Sequence, residues 1–168
     1  LLIDLDPQGN TTTGVGINKA DIERSIYDVL TDKCQISDAI IRTKYKGLYV
    51  LPATINLAGL DIELIEKGQT DPGFTKGSQL KKHLDEIKDK FDYIIIDTAP
   101  CGVVADASIL SSYADGILLV VRNDMVASRR IKRAVENLEN SGTKLVGCIY
   151  NDTESGMPNR FMSSYNKK

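Results

Sequence analysis

Short apolar runs alternate with amphipathic stretches along this chain. Residues 1–5 (LLIDL), 48–51 (LYVL), 93–96 (YIII), 117–121 (ILLVV) and 145–150 (LVGCIY) are brief and rich in Ile, Leu and Val. They read as parallel strands buried on both faces. Between them the apolar spacing becomes helical. Residues 21–31 place Ile22, Ile26, Val29 and Leu30 on one side, residues 36–41 form a short apolar helix, and residues 57–66 carry Leu57, Leu60, Leu64 and Ile65. Over residues 79–91, Leu80, Leu84, Ile87 and Phe91 recur at helical spacing against a charged face, with Ser78 as N-cap and His83 among the solvated residues. Over residues 128–141, Ile131, Ala134, Val135 and Leu138 form the stripe, Ser128 can cap it and Gly142 stops it. Residues 69–77 (QTDPGFTKG) are rich in turn formers and read as a loop. Alternating strands and helices predict an α/β three-layer sandwich with a mostly parallel sheet. Nothing repeats and no linker divides the chain, so residues 1–168 read as a single domain.

Composition narrows the chemistry. With 42% apolar and 26% charged residues, the chain has the balance of a globular domain. Its longest apolar runs, about half a dozen residues, predict neither a transmembrane helix nor a signal peptide. Cys34, Cys101 and Cys148 are odd in number and far apart, which argues against a disulfide scaffold or a CxxC metal site and suits a cytoplasmic setting. One His and no Trp argue against a His-rich metal centre or a His-based triad. The net charge of −2 carries no global signal for nucleic acid, but it is uneven. Residues 1–121 hold 12 basic and 18 acidic side chains, and residues 122–168 hold 9 and 5.

Two constellations can carry chemistry. The first is Asp4-Leu5-Asp6-Pro7-Gln8-Gly9-Asn10 at the end of the first strand. In an open parallel sheet the carboxyl ends of strands face the ligand crevice. Residues two apart on a strand share a face, so Asp4 and Asp6 could reach one site, suited to a divalent cation or an attacking water. The plainer alternative is that Asp-Pro-Gln-Gly simply makes a turn. The second is Tyr93-Ile94-Ile95-Ile96-Asp97, a β-branched run into an Asp at a strand end, the Walker B pattern in which the carboxylate holds Mg²⁺ near phosphates.

With both motifs in view, the opening LLIDLDPQGNTTTGVGI resembles the Walker A′ segment of the deviant-Walker P-loop ATPases, the ParA/Soj and MinD group. The resemblance to Soj-type ParA ATPases continues through SIYDVL and LYVLPATINLAGLDIELI to about residue 66. From residue 92, DYIIIDTAPCGVVADASILSSYADGILLVV and the segment after it look more like the CpsD/CapB-type tyrosine kinases of capsule and exopolysaccharide synthesis. Both resemblances imply one fold, and they differ on biological role. They imply that Asp6 positions the attacking water or activates an acceptor hydroxyl and helps bind Mg²⁺, with Asp4 its partner. They imply that Asp97 is the Walker B carboxylate facing Mg²⁺. They imply that Asn151, with Asp152 after it, binds the cofactor ATP at its adenine edge, a turn being the local alternative. The implied partners are a second copy in an ATP-dependent homodimer, a ParB-like activator and non-specific DNA for a partition ATPase, or a membrane activator protein for a kinase, without membrane insertion of the chain itself.

The departures are specific. No G-x-x-x-x-G-K-[ST] occurs in residues 1–168, so the backbone cradle, Lys and Ser/Thr of a P-loop are not among them. The chain opens in mid-strand on Leu1, and the expectation is a nucleotide-binding domain truncated at its N-terminus and lacking the P-loop strand. In such a sheet the vacancy is expected between residues 93–96 and 117–121. The tail carries one tyrosine, Tyr165, where the kinases have a cluster, and Pro7-Gln8-Gly9 stands where they place a basic residue. Cys101 reads as redox-active or as a small buried residue, and Arg129, Arg130, Lys132 and Arg133 as a docking patch or a solvated helix face. The leading expectation is a ParA/Soj-type ATPase, with a capsular tyrosine autokinase second and an inactive remnant or hybrid third.

Overall fold

The computed structural model describes residues 1–68, 76–100, 110, 113–122, 127–140 and 144–151. Two compact units contain them, Leu1–Tyr113 and Ala114–Lys168.

The first unit is built on a four-stranded sheet of order β2-β3-β1-β4, with β1 at Leu2–Asp4, β2 at Ile41–Arg42, β3 at Tyr49–Leu51 and β4 at Ile95–Asp97. β1 pairs in parallel with β3 (Ile3 opposite Leu51) and with β4 (Asp4 opposite Asp97), while β2 runs antiparallel to β3. Bonded on both sides, β1 buries Ile3 completely, and Leu51 on β3 is equally buried. The helices are α1 (Asn10–Gly14), α2 (Ile26–Leu30), α3 (Ile36–Ala39), α4 (Leu60–Gly68) and α5 (Lys76–Asp85). Ile26, Leu30, Ile36, Leu60 and Leu80 close the core against the sheet.

Several elements differ from expectation for local reasons. The expected helix over 21–31 shrinks to α2 because Asp28 Oδ2 accepts from both the N–H and the hydroxyl of the buried Ser25 at 2.9 Å, which sets the first turn. α3 stops at Ala39, and Ile41–Arg42 join the sheet instead. α5 starts at Lys76, so Ser78 lies inside it and is not its N-cap. Ile65 is 65% exposed, the buried side of α4 being Leu60 and Leu64. His83 is buried, not solvated. It follows Leu80 by three residues and precedes Ile87 by four, which puts it on the apolar stripe. Its Nε2 stands 3.2 Å from Asp32 Oδ1.

The second unit is a β-α-β arrangement: β5 (Ile117–Arg122), α6 (Ser128–Asn140) and β6 (Leu145–Asn151), the strands parallel. Leu119, Val121 and Leu138 are its buried centre, with Ile117, Ile131, Val135 and Leu145 packed around them. α6 runs as expected, except that Ser128 is its first residue and Ala127 O accepts the opening bond from Arg130 N–H at 2.8 Å. A Cβ at Gly116 would collide with the Val146 side chain, so glycine permits the close start of β5.

Both-face burial holds for β1 and not for the later strands. β4 bonds only to β1 and leaves Ile95 56% exposed, while Leu118 and Val120 on β5 are exposed at 56% and 58%. Within the first unit no described strand bonds to the free side of β4, and within the second none bonds to the free side of β5. The fold is α/β with a mostly parallel sheet.

Candidate functional site

The carboxyl ends of β1 and β4 bring the two motifs together. Asp4 and Asp97 are register partners, and Leu5 N–H donates to Asp97 O at 2.8 Å, carrying the pairing one residue further. The chain then turns. Gly9 N–H donates to Asp6 O at 2.8 Å and Gln8 N–H to Asp6 Oδ1 at 2.9 Å. Gly9 takes φ +59°, a left-handed conformation in which glycine carries no Cβ penalty, and α1 starts beyond it.

Asp4 and Asp6 have different surroundings. Asp4 is fully buried and works as a pure acceptor. Its Oδ2 accepts from Thr12 N–H at 2.8 Å and from the Thr12 hydroxyl at 2.7 Å, and its Oδ1 from Asp6 N–H at 3.2 Å. The Thr12 hydroxyl in turn accepts from Ala53 N–H at 3.1 Å. Asp4 therefore ties the end of β1, the start of α1 and the residues after β3 into one buried network. Asp6 is half-buried, and Gln8 N–H is the donor to its side chain among the described residues. Asp97, also half-buried, accepts from the Thr11 hydroxyl at 2.6 Å through Oδ2.

These residues fit a Mg²⁺ ion of the kind the sequence implies, within limits. Mg²⁺ keeps several waters and takes one or two carboxylates together with phosphate oxygens. Asp6 and Asp97 each have one oxygen engaged within the protein and one left for such an ion or its water shell. Asp4 has no exposure, and both of its oxygens are engaged within the protein. Among the described residues no group of three or more His, Cys, Asp or Glu side chains forms a metal cage.

In the second unit Asn151 closes β6, exposed and in register with Arg122. Asp152, Cys101, Gly142 and Tyr165 lie outside the described residues. Arg129, Arg130, Lys132 and Arg133 are all exposed on α6, whose first turn contains no acidic residue. Two cavities, of about 320 and 380 Å³, share no residue with the carboxyl ends of β1 and β4; the first is lined by Asp32, Cys34 and His83 and the second by Leu1, Tyr49 and Tyr93 among others.

Thr11 and Thr12 are the residues at the site that the sequence pattern alone did not single out. The signal was the threonine run directly after the DPQGN turn, in a position to fold back onto the carboxylates before it.

Residues 1–146 match the family model described as an AAA domain. The chain is 47% identical over 100 residues to the sporulation initiation inhibitor protein Soj of Bacillus subtilis, covering 60% of this chain and 37% of Soj. It is 31% identical over 154 residues to the tyrosine-protein kinase CpsD of Streptococcus agalactiae, covering 90% of this chain and 61% of the kinase. The kinase likeness thus extends into the N-terminal half as well. Among solved structures, cobyrinic acid a,c-diamide synthase from Mycobacterium smegmatis, with bound ATP analog and magnesium, aligns with a TM-score of 0.73 at 26% identity over 89% of this chain and 60% of that one. The chain spans between 37% and 61% of the length of these curated relatives.

Proposed function

We propose, from the premise that this chain belongs to the AAA-domain family of ParA/MinD-type P-loop ATPases with CpsD-like relatives, that it supplies the water-positioning and Mg²⁺-facing side of a MgATP-hydrolysing site of the Soj/ParA partition type. One observation carries the reading: the register that sets Asp4 beside Asp97, with Thr11 bound to Asp97 and Asp6 next along the chain. Asp6 orients the attacking water through the carboxylate oxygen that Gln8 leaves open. Asp97, held by the Thr11 hydroxyl, faces the ion through its other oxygen. Bound Mg²⁺ would supply charge stabilisation at the transferred phosphate. Asp4 keeps the strand end and α1 in place and does not touch the reactants. A complete site of this kind needs a phosphate cradle, and no G-x-x-x-x-G-K-[ST] segment occurs in residues 1–168.

The partition reading is supported by 47% identity to Soj over 100 residues and by the DLDPQGN turn. It brings an ATP-dependent homodimer, a ParB-like activator and non-specific DNA, with the exposed cations of α6 as a surface for phosphates, in the cytoplasm. The test is steady-state hydrolysis in the whole protein that carries this chain. Asp6→Ala retains nucleotide binding and loses roughly 10²–10⁴-fold in turnover. Turnover near wild type in that variant removes Asp6 from the chemistry.

A tyrosine autokinase is the second reading, favoured by the longer span of the CpsD likeness, 90% of this chain against 60% for Soj. Mass spectrometry after incubation with MgATP and an activator separates the two. Stoichiometric phosphate on Tyr165 selects the kinase, and its absence beside steady ATP hydrolysis selects the partition ATPase.

A further inference from the structure

The chain leaves α1, reverses, and lays Lys19 across the turn that follows Asp6. The return path is well bonded. Gly16 N–H donates to Thr13 O at 2.9 Å and Ile17 N–H to Thr12 O at 3.2 Å. Asn18 Oδ1 accepts from Ala20 N–H at 3.2 Å, capping a 3-10 turn at Lys19–Asp21. At its end the Lys19 ammonium donates to the carbonyl oxygen of Gln8. The stem lies against Gly9, where a Cβ would stand 2.9 Å from Lys19 Cε and 3.3 Å from Ala53 O. Lys19 and the residues after β3 thus both approach the turn closely at Gly9.

Gln8 links this contact to Asp6. Its N–H is the donor on Asp6 Oδ1 and its C=O is the acceptor for Lys19. Where Asp4 is fixed by three buried bonds, the Asp6 side chain depends on this one peptide segment for its orientation. We propose that Lys19 is a positioning residue for Asp6: by fastening the Gln8 carbonyl it fixes the turn whose N–H aims the Asp6 carboxylate. The ammonium acts on the backbone and not on the nucleotide. The functional part rests on the role given to Asp6 above; the fastening of the turn does not.

Lys19→Met keeps the aliphatic stem and removes the donor, and Lys19→Arg keeps a donor. Lys19 is exposed, so both variants are expected to fold, which circular dichroism checks. In the full chain, amide hydrogen exchange at Gln8 and Gly9 should quicken in Lys19→Met by roughly two- to tenfold, the effect of one net hydrogen bond. The Leu51 and Ile96 amides should not change, and Lys19→Arg should stay close to wild type. In the whole protein kcat should fall about ten- to a hundredfold at unchanged ATP affinity, with recovery in Lys19→Arg. Unchanged exchange at Gln8 and Gly9 overturns the fastening. Weakened ATP affinity with unchanged kcat overturns the positioning role and makes Lys19 a phosphate contact. Should the wild-type protein show no ATP turnover, the MgATP reading fails by itself, and the exchange measurement still decides the fastening.

Discussion

Replacing Asp4 by Asn tests the division of labour between the two carboxylates on stability alone. Asp4 accepts from three donors while fully buried. An amide offers one acceptor oxygen and one NH₂ group. With the oxygen toward Thr12, the NH₂ faces the Asp6 N–H, and a buried donor loses its partner at a cost of about 1–3 kcal/mol. The two remaining bonds also lose their charge assistance, which roughly halves their strength. The opposite rotamer sets NH₂ against both Thr12 donors and is worse. The total comes to about 2–4 kcal/mol, a large part of the roughly 5–15 kcal/mol that holds a domain together. Asp6→Asn removes charge from a half-buried group with one bond, and about 1 kcal/mol or less is at stake. Urea denaturation of the two variants reads the contrast. With a slope of roughly 2 kcal/mol per molar, Asp4→Asn should lower the midpoint by about 1–2 M and Asp6→Asn by less than about 0.5 M. A midpoint for Asp4→Asn equal to wild type, or a larger loss for Asp6→Asn, would refute the assignment of Asp4 as the buried tie.

Gly9→Ala should destabilise the chain by about 1–3 kcal/mol, because its φ of +59° is strained for any residue with a Cβ and that Cβ meets Ala53 O at 3.3 Å; a thermal melt unchanged from wild type contradicts the left-handed turn. Asp32 gives an acid-side prediction. The hydrogen bond from Lys82 holds its carboxyl below the usual range, against the opposing effect of burial, with the charges of Lys82 and His83 adding to the lowering. A depressed folded value means that this stabilisation is present above the unfolded pKa of about 3.9 and is lost as pH falls through the folded one. The Asp32 side chain is 43% exposed, so the effect is less than about 1 kcal/mol. Lys82→Met should flatten that part of the stability loss between about pH 4 and pH 2, and urea midpoints across this range should converge on wild type at the acid end; a variant curve parallel to wild type throughout counts against the pair.

Much of the fold was open to inference from hydrophobic spacing. Apolar runs of strand length at 1–5, 48–51, 93–96, 117–121 and 145–150 each overlap an observed strand, because a run that short and that apolar has little other way to satisfy its backbone while leaving water. The stripe Ile131, Ala134, Val135 and Leu138 gave α6 nearly to the residue. His83 was legible too, since its spacing of three from the buried Leu80 sets it on the buried side of α5. The chemistry at the strand ends was visible as residue types, two Asp in one run and a third closing another, and the resemblance to Soj-type ATPases rested on the same letters.

Tertiary structure decided what depends on partners distant in sequence. β2 is two residues long and exists because β3 is beside it to bond, which no local pattern encodes. Whether an apolar strand is buried on both faces depends on how many neighbours it has, so β1 and β4 differ although both are apolar. Asp4 and Asp6 alternate as neighbours on one face only if the strand continues through both. It ends at Asp4, and from there the turn, not the pleat, directs Asp6. One carboxylate is thereby drawn into a buried network with Thr12 and Ala53, and the other is left at the surface of the turn. That separation arises where α1 folds back onto the end of β1 and Ala53, from across the sheet, bonds to Thr12, an arrangement that exists only in the folded chain.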